Sequence, residues 1–145
     1  MKRSPALAPL SRDHHQALSA ALRLRRATDA DLDDAVGAFA RFWDEHGRRH
    51  FAIEEELLVP ALADDADWRS GTERMVGEHE EIRRGVAALT AGTPGRLAVA
   101  HGVGALLDRH VRFEERELFV LLEERLPGPE LDRLGAAIEA AEAGG

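Results

Sequence analysis

The sequence of 145 residues contains no cysteine and no tyrosine, and only 5% of its residues are aromatic. Without cysteine, the chain forms no disulfide, no thiolate metal site and no iron–sulfur cluster. Without tyrosine, no phenolate can ligate a metal. Histidine, in contrast, occurs seven times against two tryptophans. Any metal chemistry of this chain must therefore use imidazole and carboxylate ligands.

Long hydrophobic runs are also missing. No stretch approaches the length of a membrane span, and no apolar signal-peptide run follows the basic start at residues 1–5. The net charge of −8 argues against a general nucleic-acid binder. We therefore expect one cytoplasmic domain over residues 1–145, with its core at about residues 10–126 and with no membrane or nucleic-acid partner.

Two copies of the pattern His-x-x-x-Glu organise the sequence. The first is His50 with Glu54, and the second is His110 with Glu114. Residues four apart lie on one face of a helix, a turn apart. In both copies a second glutamate follows, and a leucine-rich run comes next. One such pair is common by chance, whereas two copies in matching apolar frames indicate a shared function.

The apolar periodicity predicts four long helices and a short tail helix. They lie at about residues 11–27, 30–59, 72–89, 96–126 and 131–141. Ser11 is the predicted N-cap of the first helix, Pro60 the predicted end of the second, and residues 1–10 a loosely ordered lead-in. No segment shows the alternation of a strand. The predicted fold class is all-α, an up-down-up-down four-helix bundle with a short C-terminal capping helix.

A histidine lies on the apolar face of each long helix, and two helices add a glutamate one turn later. These residues are His14, His50, Glu54, His79, His110 and Glu114. A buried carboxylate without a partner is costly, and no lysine or arginine lies on these apolar faces. Imidazoles and carboxylates that converge inside a bundle predict a transition-metal site, and bridging carboxylates favour iron or manganese over zinc.

Other histidines leave alternatives open. His15 lies about 100° around the helix from His14, and apolar residues flank both, so either is a candidate metal ligand. His46 is a candidate ligand, a partner of a ligand, or a core residue. His101 lies on the face opposite His110 and is predicted to be a surface residue. The other nearby acids are predicted to be solvated charges or partners of ring nitrogens: Glu55, Glu56, Glu115 and Glu117.

A weak internal repeat joins the two halves of the chain. Asp13-His14 precedes the first His-x-x-x-Glu motif, and Glu78-His79 precedes the second. This pattern on four helices resembles the hemerythrin-like, or HHE cation-binding, proteins over about residues 10–126, and the segments at 55–60 and 110–119 are typical of them. The resemblance implies a non-haem iron site, usually two ions bridged by an oxo or hydroxo group and by carboxylates.

The chain departs from the oxygen-carrying hemerythrins at two positions. Those proteins place two histidines one turn apart on the third helix, where this chain has Met75 and Arg83 on either side of His79. Their last acidic ligand is an aspartate, whereas this chain has Glu114. These departures argue against simple reversible oxygen carriage, and His46 or His15 is a candidate for the missing imidazole.

The resemblance implies a metal-binding protein that binds or senses a small diatomic ligand, oxygen or nitric oxide. The alternatives are an iron-dependent oxidase or peroxidase-like enzyme, and an iron storage or regulatory protein. A dedicated enzyme needs an acid–base group beside an open coordination position, for which His46 and Glu55 are the candidates. We expect ligand binding rather than dedicated catalysis, and no feature of the sequence marks a protein partner.

Overall fold

The structure, a computed structural model, describes residues 2–144 and contains five helices and no strand within that range. The helices are α1 (Ala8–Arg25), α2 (residues 32–61), α3 (Arg69–Thr90), α4 (residues 96–125) and α5 (Gly128–Gly144). The prediction of an all-α fold is confirmed. No helix in the described range is long and apolar enough to cross a membrane.

The four long helices surround a common interior. Helix α1 packs on α2 and α4, and α3 also packs on α2 and α4. Helix α5 packs on α1 and on the part of α2 between Arg48 and Leu58. This places α5 beside the part of α2 that carries the first His-x-x-x-Glu motif.

The apolar core has two parts with a polar layer between them. One cluster includes Phe39 and Ile82, and the other includes Leu118 and Ile138. Along α1 and α3 a buried histidine separates residues of one cluster from residues of the other, and along α2 and α4 the change of cluster falls within three residues after the histidine. The histidines therefore lie at one level, where the four helices are held in place by packing above and below.

Helix α1 begins earlier than predicted. It starts at Ala8, with Pro9 in its first turn, where the missing N–H of a proline costs no hydrogen bond. Ser11 is not its N-cap, because the Ser11 hydroxyl donates to Glu115 Oε2 at 2.7 Å instead. The predicted loose lead-in is also wrong, because Leu7 is fully buried in the core.

The second long helix continues past its predicted end. Pro60 lies inside the final segment Val59–Ala61, where its missing N–H affects only the last turn. Two wider π-helical turns interrupt α2, at Trp43–Gly47 and at Glu54–Leu58, and α4 has one at Glu114–Leu118. The last two begin at the glutamate of each His-x-x-x-Glu motif.

Candidate metal centre

Six side chains from the four long helices meet in the polar layer. They are His14 on α1, His50 and Glu54 on α2, His79 on α3, and His110 and Glu114 on α4, and none is more than 4% exposed. Burial of two carboxylates in a dry interior carries a large desolvation cost. A compensating positive charge is therefore required among them.

Glu54 lies between the histidines of α2 and α3. Its Oε2 is 3.1 Å from His50 Nε2, and its Oε1 is 3.0 Å from His79 Nε2. Nevertheless, neither oxygen of Glu54 nor Nε2 of His50 has a partner in hydrogen-bond geometry. Close polar atoms that do not point at each other have the arrangement of ligands directed at a common ion.

Glu114 occupies the matching position between the histidines of α4 and α1. Its Oε1 is 2.8 Å from His14 Nε2, and its Oε2 is 3.1 Å from His110 Nε2. The Nε2 atoms of His79 and His110 are themselves 3.1 Å apart. Like Glu54, Glu114 joins two helices through one carboxylate, and its Oε2 has no hydrogen-bond partner.

The six side chains form two overlapping sets of four metal-ligating groups. One set contains His14 and His50, the other contains His79 and His110, and both contain Glu54 and Glu114. Within each set the ligand atoms lie within 4.8 Å of one another. Each set therefore has the donor types, two imidazoles and two carboxylates, that suit a transition-metal cation.

The other ring nitrogen of each histidine faces a carboxylate from a neighbouring helix. The pairs, with their Nδ1–oxygen distances, are His50–Asp13 (3.1 Å), His79–Glu55 (2.6 Å), His110–Glu78 (2.9 Å) and His14–Glu115 (2.6 Å). We call these four acids the outer carboxylates. Each holds the histidine of the next helix in the order α1 to α4 and back to α1. Because a carboxylate accepts the Nδ1 proton, Nε2 is the ring nitrogen that faces the centre.

Three of the outer carboxylates are held in turn by an arginine. The contacts are Glu55–Arg83 (2.9 Å), Glu78–Arg74 (3.2 Å) and Glu115–Arg3 (3.3 Å). Asp13 differs, because the group beside it is Glu142 of α5, with a carboxylate oxygen within 4.8 Å of an Asp13 oxygen. The cycle of four similar pairs therefore has one unlike member, next to His50.

Without a metal, protons on the imidazoles supply the positive charge that a bound cation would otherwise supply. Burial lowers the pKa of His79, but the nearby carboxylates of Glu114, Glu54 and Glu55 outweigh it and raise that pKa to about 10. Burial likewise opposes charge on His110, while Glu114 raises its pKa to about 9. Protonated imidazoles compensate the buried carboxylates when no metal is bound.

Aromatic rings stack on two of the site histidines. Phe51 stacks on the His79 ring with centroids 3.8 Å apart, and Phe119 stacks on the His14 ring at 5.3 Å. Both phenylalanines are buried. They shield the imidazoles from bulk water and fix the planes of the two rings.

Residues 7–122 match the model of the family described as the hemerythrin HHE cation binding domain. The chain belongs to this hemerythrin family. The match includes all six central residues and ends before α5. No curated protein and no solved structure matches the chain. The resemblance inferred from the sequence is thereby confirmed, and with it a domain that binds metal cations.

Not every predicted ligand of the hemerythrin domain reaches the centre. His15 is exposed and lies outside both sets, whereas its neighbour His14 lies inside one. His46 is also outside, with its Nδ1 4.0 Å from Asp13 Oδ1. His101 is exposed, as predicted, and its Nε2 is hydrogen-bonded to the carbonyl of Ala27 at 2.8 Å. These placements favour His14 over His15 as a ligand.

Two outer carboxylates were not assigned a role from the sequence. Asp13 and Glu78 each precede a site histidine but contact the histidine of a different helix. The internal repeat was the available signal, because it pairs Asp13-His14 with Glu78-His79. Four further glutamates were predicted to be solvated charges or partners of ring nitrogens. Of these, Glu55 and Glu115 face ring nitrogens, and Glu56 and Glu117 are exposed.

Proposed function

We propose that this chain is a non-haem metal protein that holds two iron ions and binds a small ligand such as oxygen or nitric oxide. The observation that carries the proposal is the pair of overlapping donor sets that share two glutamates. A carboxylate has two oxygens and can bridge two cations, so the sharing favours two ions over one. The neighbour relations of the four long helices support a single up-down-up-down four-helix bundle around these ions.

The choice of iron rests on the donor set. Each ion would receive two imidazoles and two carboxylates, a mixture typical of non-haem iron. His14 and His50 would hold one ion, His79 and His110 the other. Four protein ligands leave about two positions of a six-coordinate ion for solvent or a guest. When bound, iron supplies open coordination positions and a change of redox state at which a diatomic molecule is recognised.

A small cavity beside the site supports a small guest. It has a volume of about 10 Å³ and is lined by His14, His50 and His110 together with apolar groups that include Ala17 and Val111. This volume is at the lower limit for a single water molecule. A diatomic molecule needs only a slight movement of these walls, whereas a larger organic substrate does not fit. The cavity therefore favours ligand binding over turnover of a large substrate.

Anaerobic reconstitution with ferrous iron, followed by metal analysis, tests the metal part of the proposal. We expect two irons per chain and, after exposure to air, a visible absorption spectrum that azide and nitric oxide perturb in competition with each other. Rapid turnover of peroxide would instead favour the enzyme alternative. If saturating azide leaves the spectrum of a fully loaded sample unchanged, the result would favour the alternative of an iron storage protein.

The cavity is tested separately by Ala17→Val. The added methyl groups fill the space beside the imidazoles without changing a ligand, so we expect two irons per chain but at least tenfold weaker azide binding. Ala98→Val, an equal change at an exposed position of α4, is the matched control and should behave like the unmodified protein. Equal azide affinity in Ala17→Val would show that the guest does not use this cavity.

A further inference from the structure

The one unlike outer carboxylate, Asp13, connects the metal centre to α5. Its Oδ2 lies 3.1 Å from His50 Nδ1, and a carboxylate oxygen of Glu142 lies within 4.8 Å of Asp13 and of His50. Glu142 in turn lies 3.4 Å from Arg49 Nε. A chain of contacts therefore leads from α5 through Glu142 and Asp13 to an imidazole whose Nε2 faces the centre.

The position of Glu142 is set by the way α5 packs. Leu134 and Ile138 are buried in the same apolar cluster as Leu118. Gly135 lies against residue Ala6 so closely that a Cβ at position 135 would be 2.8 Å from Ala6 Cα. This contact and the buried pair fix the height and the rotation of α5. Glu142 follows one turn after Ile138, on the side that faces Asp13.

The other three outer carboxylates do not depend on α5, because arginines of α3 and of the N-terminal segment hold them. Asp13 has the shortest side chain of the four, and a second group, His46, lies 4.0 Å from it. Without Glu142, Asp13 is free to turn towards His46, and His50 then loses the acceptor that orients its ring.

We propose that Glu142 is a positioning residue of the metal centre, and that through Asp13 and His50 it couples the packing of α5 to metal binding. The inference rests on the proposed metal-binding function. Loss of a group that orients a ligating histidine typically weakens metal binding about 10- to 100-fold. By thermodynamic reciprocity, a metal that binds more tightly when α5 is packed must also hold α5 in place more tightly.

Metal affinity of the full chain tests the first half of the inference. The affinity for ferrous iron is measured anaerobically, by competition with a chelator, in the unmodified protein and in Glu142→Ala, Glu142→Gln and Glu139→Ala. We expect Glu142→Ala to lose about tenfold in one of the two binding steps, the one that uses His50. Glu142→Gln should restore the affinity, because glutamine has the size of glutamate and an amide N–H that donates to the Asp13 carboxylate. Glu139→Ala, exposed on the same helix, should have no effect.

Hydrogen exchange tests the second half. In the unmodified protein we expect iron to slow the exchange of the α5 amides by about the factor by which Glu142→Ala weakens binding. In Glu142→Ala the exchange of α5 should be nearly independent of iron, while the amides of α3 remain protected by iron in both proteins. This difference separates a positioning role from a general loss of stability, which would also expose α3.

These experiments distinguish failure of the coupling through Glu142 from failure of the proposed metal-binding function. If the unmodified protein binds no iron, the proposed function is wrong. If it binds two ions and Glu142→Ala binds them as tightly, with α5 protected by iron to the same degree, the coupling through Glu142 is wrong and the metal-binding function stands. If Glu142→Gln binds iron as weakly as Glu142→Ala, a polar contact of residue 142 with Asp13 is not what positions His50.

Discussion

Each site histidine uses its two ring nitrogens for different purposes. In His79, for example, Nδ1 lies 2.6 Å from Glu55 and Nε2 lies 3.0 Å from Glu54. The outer contact sets the orientation and the tautomer of the ring, and the inner nitrogen faces the centre. The same division at all four histidines explains why the four imidazoles are surrounded by so many acids.

Removal of a central glutamate should destroy the two-ion form. Glu114 belongs to both donor sets, so Glu114→Ala removes a ligand from both ions, and we expect fewer than two irons per chain in metal analysis. Glu54→Ala should act in the same way, because Glu54 is also shared. Glu117→Ala changes an exposed glutamate of the same π-helical turn and should retain both ions.

His101→Ala is the histidine control for these variants. His101 is exposed, and its ring is hydrogen-bonded to the carbonyl of Ala27, just after the end of α1. Its removal should therefore leave the iron content unchanged. Loss of iron in His101→Ala together with retention of iron in Glu114→Ala would contradict the assignment of the six central residues as ligands.

Metal affinity should rise with pH over the range set by the raised pKa values. In the metal-free protein the pKa of His110 is raised to about 9 and that of His79 to about 10. Below these values each imidazolium must lose a proton before its nitrogen can bind a metal. The affinity should therefore increase by about tenfold per pH unit for each displaced proton, and the contribution of each imidazole should level off above its own pKa.

Chelator competition at pH values from about 6.5 to about 8.5, below both raised pKa values, measures this slope. Calorimetry in two buffers of different ionisation enthalpy counts the released protons directly. A Kd that does not change with pH, with no proton release, would mean that the imidazoles are neutral in the metal-free protein.

At the scale of single helices, two of the three π-helical turns occupy equivalent positions in the two halves. The turns Glu54–Leu58 and Glu114–Leu118 each begin with a pair of consecutive glutamates, which a third glutamate follows in the first turn. In each pair the first glutamate faces the centre and the second faces the histidine of the next helix. Each of these wider turns therefore contains one glutamate that faces the centre and, next to it, one that orients a histidine. π-Helical turns are frequent at functional sites.

The contact between α1 and α4 depends on a glycine. A Cβ at Gly104 would lie 2.6 Å from the carbonyl oxygen of Ala21, which is backbone and cannot move aside easily. We expect Gly104→Ala to destabilise the protein by about 1–3 kcal/mol, the usual cost of overpacking. Thermal unfolding of the metal-free protein measures the change.

Gly102→Ala is the matched control on the same helix. Nothing lies within 4 Å of a Cβ at Gly102, and alanine is favoured over glycine in a helix by about 0.8–1 kcal/mol. The control should therefore melt at a higher temperature than the unmodified protein, opposite in direction to Gly104→Ala. Equal effects of the two substitutions would mean that helix propensity, rather than close packing, decides both.

At the scale of the whole molecule, the polar layer divides the core and links its stability to metal. The proposed iron ions would bind the folded chain, where the ligands are assembled, so loading should raise the melting temperature. At a free metal concentration of 100 times Kd the gain is about 2.7 kcal/mol, or roughly 5–11 °C for a chain of this size. Calorimetry of loaded and metal-free samples checks this, and equal melting temperatures would contradict it.

The difference between the melting temperatures of the loaded and the metal-free protein should also depend on pH. The folded-state pKa values of His79 and His110 are raised to about 10 and about 9, above the value of about 6.5 in an unfolded chain. Their contribution to the stability of the metal-free protein is complete below pH about 6.5 and is lost as the pH rises through 9 and 10. The difference between the two melting temperatures should therefore widen from pH 7 to pH 9.

The sequence by itself determined the class of the fold and the residues that face the interior. Helical periodicity placed His14, His50, His79 and His110 on apolar faces, because the spacing of side chains along a helix is a local property. The two His-x-x-x-Glu motifs, repeated in matching frames, led to the hemerythrin family. Helix ends were less accurate, as at Ser11, because a hydrogen bond to Glu115 on another helix competes with the local cap.

Only the tertiary structure decided how these residues pair. Asp13 precedes His14 in the chain, yet it contacts His50, because the partners of a side chain at the interior are set by the neighbouring helix. The choice between His14 and His15 likewise depended on the rotation of α1 against α2 and α4, since both have apolar neighbours along the helix. The contact of Glu142 with Asp13 joins residues 129 positions apart, and no periodicity within either helix contains that information.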